Sequence, residues 1–246
     1  MKISLALSGG AARGAFHLGA IEALLERGYK IEVISGSSIG AIIGASLASG
    51  VSPKEQLHIY KSKEFRKIFK MNFFKESLVK IDKDKEIVKK IVPIKNLEDA
   101  KIKLYITTID LISGKVLVFD KGDAKKIVLG SSALIPLFKP VKYKNYRLAD
   151  GGIMDNLPVT PLKQEDFPIF AIDLHPDEVG YKNSFAGILK RMIFLAWRSS
   201  VQKSKNSCDL YITDPKLGRY SLFKFKHLDD LFDLGYKRTT EILNSF

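Results

Sequence analysis

The sequence predicts an α/β protein with helices on both faces of a mostly parallel sheet. Three observations support this. The first fifty residues read strand, turn, helix, strand, turn, helix, the order that builds parallel sheets. Short apolar runs recur along the chain and read as buried strands. The length, 246 residues with 46% hydrophobic residues, suits one sizeable core, so a single domain over 1–246 is expected.

Ile3 to Leu7 is the first strand and ends in Ser8-Gly9-Gly10. A helix from about Ala15 to Arg27 follows, with Leu18, Ile21 and Leu24 on its apolar face and Gly28 as its stop. Glu32 to Ser35 is the second strand, Gly36 to Gly40 the turn out of it, and Ala41 to Ala48 a small apolar helix. Ser52-Pro53-Lys54-Glu55 opens another helix, with Ser52 as cap, Pro53 in the first turn and Glu55 three residues on. The stretch to Ile91 is basic and reads as helical in pieces, a cap or insert at about 52–100. Lys103 to Asp110 and Lys115 to Phe119 are strands joined through Ser113-Gly114, a candidate hairpin. Ala124 to Ser132 is helical, Tyr146 to Ala149 a short strand, and Pro168 to Leu174 a buried strand. Phe185 to Lys203 is a long amphipathic helix, Leu210 to Thr213 the last strand and Leu228 to Leu243 the closing helix.

Charge and composition narrow the function. The net charge is +13. Residues 51–103 hold 15 Lys and Arg against 8 Asp and Glu, about half of the excess in a fifth of the chain. That suggests a polyanionic partner, or a solubilising face. Lone Cys208 excludes a disulfide within the chain and reads as a small buried hydrophobe. No apolar run reaches the ~20 residues of a membrane span, and the N-terminus lacks a secretory pattern. A cytoplasmic protein is expected, touching membranes only from the surface. Phe73-Phe74 within the basic segment marks a lid or a membrane-docking face.

Three motifs carry chemistry. Ser38 stands in Gly36-Ser37-Ser38-Ile39-Gly40, between a strand and a helix. A nucleophilic serine needs a sharp, exposed turn, with small residues two before and two after it. Gly36 and Gly40 occupy those places, whereas Ser37 would have Ser35 and Ile39. The helix that follows favours developing negative charge. Ser8-Gly9-Gly10-Ala11-Ala12-Arg13-Gly14 exposes backbone N–H groups after the first strand and suits a phosphate or an oxyanion. It is neither a dinucleotide fingerprint nor a Walker loop. Asp150-Gly151-Gly152 closes a strand with a carboxylate aimed into a crowded turn.

These motifs, with His17, Ser131-Ser132-Ala133-Leu134-Ile135-Pro136 and the continuation Ile153 to Pro158, resemble the patatin-like phospholipase family over nearly the whole chain. Ala11 departs from the pattern, where many members have a third glycine. The resemblance implies a three-layer sandwich and a lipid acyl hydrolase of the phospholipase A or lysophospholipase kind. Ser38 would be acylated and Asp150 would be its base. Gly9, Gly10 and Ala11 would form the oxyanion hole, with Arg13 supporting that loop or meeting an anionic head group. Phospholipid or another acyl-ester lipid is the implied substrate, and no metal or organic cofactor is implied; the basic charge adds an anionic membrane surface as a candidate peripheral partner.

Two rivals stay open. A Ser–Asp–His esterase or thioesterase would use Asp150 with His175 or His227, in the chain order of α/β-hydrolases. That fold usually builds several strands before its nucleophile, and two precede Ser38. His175 reads as a structural turn residue, His17 as a packing or loop-anchoring one, and His58 as a surface residue. A nucleic-acid-binding module would use the lysines around Phe65, Phe69, Phe73 and Phe74. Those aromatics recur at helical spacing, as core contacts do, and no nucleic-acid motif accompanies them.

Overall fold

The computed structural model describes residues 1–66, 69–71, 79–81, 86–177, 180 and 183–245. The chain opens with β1 (Lys2–Leu7), α1 (Gly14–Glu26), β2 (Lys30–Ser37) and α2 (Ile39–Ala48). It continues through α3 (Pro53–Lys61), α4 (Lys63–Arg66), β3 (Phe69–Met71), β4 (Val79–Ile81) and α5 (Glu86–Ile91). Then come β5 (Lys103–Asp110), β6 (Lys115–Phe119), α6 (Ala124–Ser131), β7 (Val141–Tyr143) and β8 (Tyr146–Asp150). The last elements are β9 (Ile169–Ile172), α7 (Phe185–Lys205), β10 (Leu210–Ile212) and α8 (Leu228–Ser245).

An eight-stranded sheet forms the middle layer, in the order β10-β9-β1-β2-β5-β8-β7, with β6 also paired to β5. The pairs from β10 to β5 are all parallel. Alternation along each strand divides two cores. Ile3, Leu5 and Leu7 of β1 enter one core and Ala6 the other; Leu104 and Ile106 of β5 part from Tyr105 in the same way. The first core takes the large aliphatics and packs under α1, α2 and α8. The second holds Leu157, Val159, Leu162 and Val201 beneath the segment after β8 and the end of α7. This is the expected three-layer α/β arrangement, and it explains why the strands read as unbroken apolar runs. Helices α1 and α8 meet backbone to backbone: a β-carbon on Gly19 would collide with the Phe232 carbonyl, and one on Gly235 with the Phe16 carbonyl.

The edge of β5 positions the site. Strand β2 pairs with β5 as far as Ser37 opposite Thr107 and then turns away. Strand β8 arrives from the other direction and ends with Asp150 opposite Thr108. The other edge of β5 is held by β6, which also pairs with Ile106 to Asp110. So β2 and β8 share one edge and meet head-on, bringing together residues far apart in sequence.

Two features differ from expectation. Strand β7 was unforeseen; its three residues, Val141 to Tyr143, are too few to display a period, and the chain folds back at Lys144, which has φ 51°. Within the stretch expected to be helical in pieces, β3 and β4 pair antiparallel. Phe69-Lys70-Met71 and Val79-Lys80-Ile81 each alternate apolar, Lys, apolar, a strand period masked in sequence by the surrounding aromatics. Ile68, Phe73, Phe74 and Leu78 lie outside the described residues. The expected Ser52 cap forms: Ser52 Oγ accepts from the Glu55 N–H at 3.3 Å while the Glu55 carboxylate accepts from the Ser52 N–H at 2.8 Å. Among the described residues no helix is long and apolar enough to cross a membrane.

Candidate active site

The turn between β2 and α2 is sharp because its glycines let backbone approach backbone. A β-carbon on Gly36 would strike the Gly40 carbonyl, and one on Gly40 the Leu7 carbonyl. Ser38 at the apex has φ 54° and ψ −122°, a conformation that costs about 1–3 kcal/mol and persists only where surroundings enforce it. The surroundings are specific. The Ser38 N–H donates to Ser131 Oγ at 3.0 Å, and that hydroxyl donates to the Thr107 carbonyl at 2.6 Å. Ser132 Oγ donates to the Ser38 carbonyl at 3.1 Å. The same carbonyl accepts from the N–H groups of Ala41 and Ile42, so α2 begins at Ser38 and its positive end faces the hydroxyl.

Ser38 Oγ donates to Asp150 Oδ2 at 2.7 Å. The other carboxylate oxygen accepts from the Gly152 N–H at 2.8 Å, which fixes the plane of the group. Burial pushes the Asp150 carboxyl up to about 6, against the opposing effect of the hydrogen bonds from Ser38 and Gly152. Gly151 is held against the Thr107 carbonyl and Ser37, and a side chain there would wedge β8 away from β2.

The glycine loop lies against Ser38, with Gly9, Gly10 and Ala11 on the cavity wall. Its donors are divided. The Gly9 N–H already donates to the Asn156 carbonyl at 3.1 Å. The Arg13 N–H donates to the Gly10 carbonyl at 3.1 Å. The Arg13 guanidinium is buried and donates to the carbonyls of Tyr220 and Leu174 at 3.0 and 3.1 Å. The Gly9 N–H is thus engaged within the protein, whereas Arg13 stands in the loop-supporting place expected of it. Arg13 ties the loop to the chain's last third. The N–H groups of Gly10 and Ala11 have no acceptor among the described residues. Ala11 adopts φ 48°, so the alanine occupies a backbone conformation that glycine would take more easily. His17, fully buried, bonds the Ser8 carbonyl through Nε2 at 2.9 Å, and burial lowers it to about 4.

Ser38 and Asp150 open on a cavity of about 770 Å³. Its wall is chiefly apolar, from Ile42 on α2, Val88 and Ile91 on α5, Phe138, and Trp197 on α7, with Lys125, Lys224 and Lys226 among the few charged residues. Phe65 and the α5 residues come from the basic stretch, so that stretch forms part of the wall.

Several site residues escaped the sequence reading. Asn156 Nδ2 donates to His175 Nδ1 at 3.0 Å, which leaves the imidazole proton on Nε2. Both residues line the cavity. His175 is thus more than a turn residue, yet burial, Arg13 and Arg198 lower it to about 3, so it stays neutral. Asn156, Ser131 and Ser132 sit within motifs quoted for the resemblance, which was the available signal. The segment Leu222 to Lys226 carried none. His227 is partly exposed at the start of α8 and bonds Asp230 at 2.9 Å. Among the described residues, no histidine bonds Asp150, so the Ser–Asp–His rival has no geometric counterpart.

Comparison with known proteins bears on the family and the fold. A family model described as patatin-like phospholipase matches residues 5–163. An NTE family protein of Mycobacterium tuberculosis is 33% identical over 183 residues, 73% of this chain and 51% of its own length. Lysophospholipase NTE1 of Lodderomyces elongisporus is 23% identical over 95% of this chain but only 18% of its own length. The chain thus spans about half the length, or less, of these curated relatives. Among solved structures, VipD from Legionella pneumophila aligns with a TM-score of 0.56 at 16% identity, covering 99% of this chain and 67% of that one. The type III effector protein ExoU of Pseudomonas aeruginosa aligns with a TM-score of 0.53 at 16% identity, covering 99% of this chain and 53% of that one.

Proposed function

From the premise that the chain belongs to the patatin-like phospholipase family, we propose that it hydrolyses ester-linked fatty acyl chains of phospholipids or lysophospholipids through Ser38 and Asp150. The observation that carries this reading is the 2.7 Å hydrogen bond from Ser38 Oγ to Asp150 Oδ2 at the wall of a large apolar cavity. As Ser38 Oγ attacks the ester carbonyl carbon, its proton passes to Asp150. Burial makes that carboxylate a better base than an ordinary aspartate. The oxyanion meets the N–H groups of Gly10 and Ala11 and the N-terminus of α2. When the tetrahedral intermediate collapses, the leaving alcohol takes the proton from Asp150 and the acyl group stays on Ser38. Water then attacks the acyl-enzyme, giving a proton to Asp150; as that intermediate collapses, Asp150 returns the proton to Ser38 Oγ and the fatty acid leaves. The acyl chain lies along the apolar wall, and Lys125, Lys224 and Lys226 suit the phosphate of the head group.

Labelling with a fluorophosphonate probe, followed by a lipid panel, tests the reading. Wild type is expected to label and to release fatty acid, and Ser38→Ala to do neither. Labelling that persists in folded Ser38→Ala would remove Ser38 as nucleophile. A folded His175→Ala variant is expected to keep more than about a tenth of wild-type turnover; a loss as deep as that of Ser38→Ala would put a histidine back into the mechanism.

A further inference from the structure

Helix α7 is apolar on two opposite sides. At 3.6 residues per turn, Phe194, Arg198 and Val201 fall on one side and are buried against the body. Phe194 packs near His175, and Trp197 lines the cavity. The opposite side carries Phe185, Ile188, Leu189, Met192 and Ala196, spaced as an amphipathic stripe. A stripe of that spacing normally marks a buried face, yet these side chains lie in the open: Phe185 is 85% and Met192 62% exposed. Beyond Ala196 the same side turns polar with Ser199 and Lys203. The apolar patch is therefore confined to the first three turns. Phe223, on the loop that lines the cavity, is also 56% exposed.

Charge selects the occupant. The 21 residues of α7 include no acid, and Lys190 and Arg191 lie within the apolar stretch. Lys224 and Lys226 alternate with Phe223 and Phe225 at the cavity. A second copy docked on this face would set like charges against each other in a chain of net charge +13. An anionic lipid surface accepts the apolar stripe together with Lys224 and Lys226, the exposed bases on either side of Phe225. We propose that the first three turns of α7, with the Phe223 loop, dock the protein on anionic lipid bilayers. Docking there sets one helix, α7, between the lipid surface and the cavity that its Trp197 helps to wall. The inference rests on the acyl-hydrolase reading of that cavity.

The test is vesicle co-sedimentation in a Ser38→Ala background, so that binding is read without turnover. Vesicles contain phosphatidylcholine alone or with phosphatidylglycerol. We expect at least tenfold tighter binding to the phosphatidylglycerol vesicles, weakened by salt. The Phe185→Ser/Met192→Ser double variant should bind at least tenfold less. With Ser38 intact, that double variant should turn over a soluble short-chain ester at the wild-type rate, since neither residue lines the cavity. Should the double variant fold poorly, Phe185→Glu in the exposed first turn gives the same readout. Unchanged vesicle binding by the variants, or no binding by the parent, overturns the proposal. So does a dimer in sedimentation velocity that the double variant dissolves. Loss of soluble-ester turnover by wild type would instead sink the hydrolase reading, leaving the vesicle result to stand by itself.

Discussion

A carboxylate buried beside a hydroxyl is costly to ionise, and Asp150 carries that cost. With its carboxyl at about 6, holding the charge at neutral pH takes about 3 kcal/mol from the folded state. In the folded protein the charge is disfavoured, so the group's contribution to stability falls as pH rises from the unfolded value near 3.8 through about 6. Asp150→Asn keeps the shape, with an oxygen for the Gly152 N–H. It is expected to lower turnover nearly as far as Ser38→Ala. It should also melt at a higher temperature than wild type at pH 7.5, with the gap closing near pH 4, as calorimetry at both pH values would read. For wild type, kcat/KM on a soluble ester should rise with pH through about 6. A limb centred near 4 would mean that the buried environment does not govern the base. Ser38 and Asp150 were legible in sequence because each sits beside glycines that its turn requires. The donors were only half legible. Whether an N–H is free depends on distant partners, and nothing local to Gly9 announces the carbonyl of Asn156.

At the scale of elements, strands with long apolar runs, helices with caps, the parallel pairing and the β5–β6 hairpin were readable, and two short hairpins were not. The β7–β8 hairpin was hidden because Val141 to Tyr143, though two of its residues favour strands, is too short to display a period. Segment β3–β4 shows the opposite difficulty, a two-residue period surrounded by aromatics at helical spacing. The α1–α8 contact also lay hidden, since Gly19 and Gly235 look like mid-helix weaknesses in isolation. In the fold they are the points where two backbones touch. Gly19→Ala would gain helix propensity and still lose stability, because its methyl must push α8 outward. A loss of about 2 kcal/mol is expected, visible as a lower urea midpoint with an unchanged slope. Stability equal to or above wild type would mean that the two helices separate without cost.

At the scale of the molecule, strand–helix alternation made the α/β class legible. The cavity was not, because its wall collects α2, α5, α7 and the Leu222–Lys226 loop from all parts of the chain. The head-on meeting of β2 and β8 on β5 has a consequence for how this protein can vary. The spacing of Ser38 and Asp150 is measured by one step of β5, from Thr107 to Thr108, and not by the length of chain between them. Adding residues at the exposed Ser113-Gly114 turn should therefore leave fluorophosphonate labelling intact. Adding a single residue between Thr107 and Thr108 shifts one partner by a strand step of about 3.3 Å and should abolish labelling. Strand β5 works as a ruler. While its marks hold, the chain that loops out between Ser38 and Asp150 is free to lengthen, shorten and take on new surfaces.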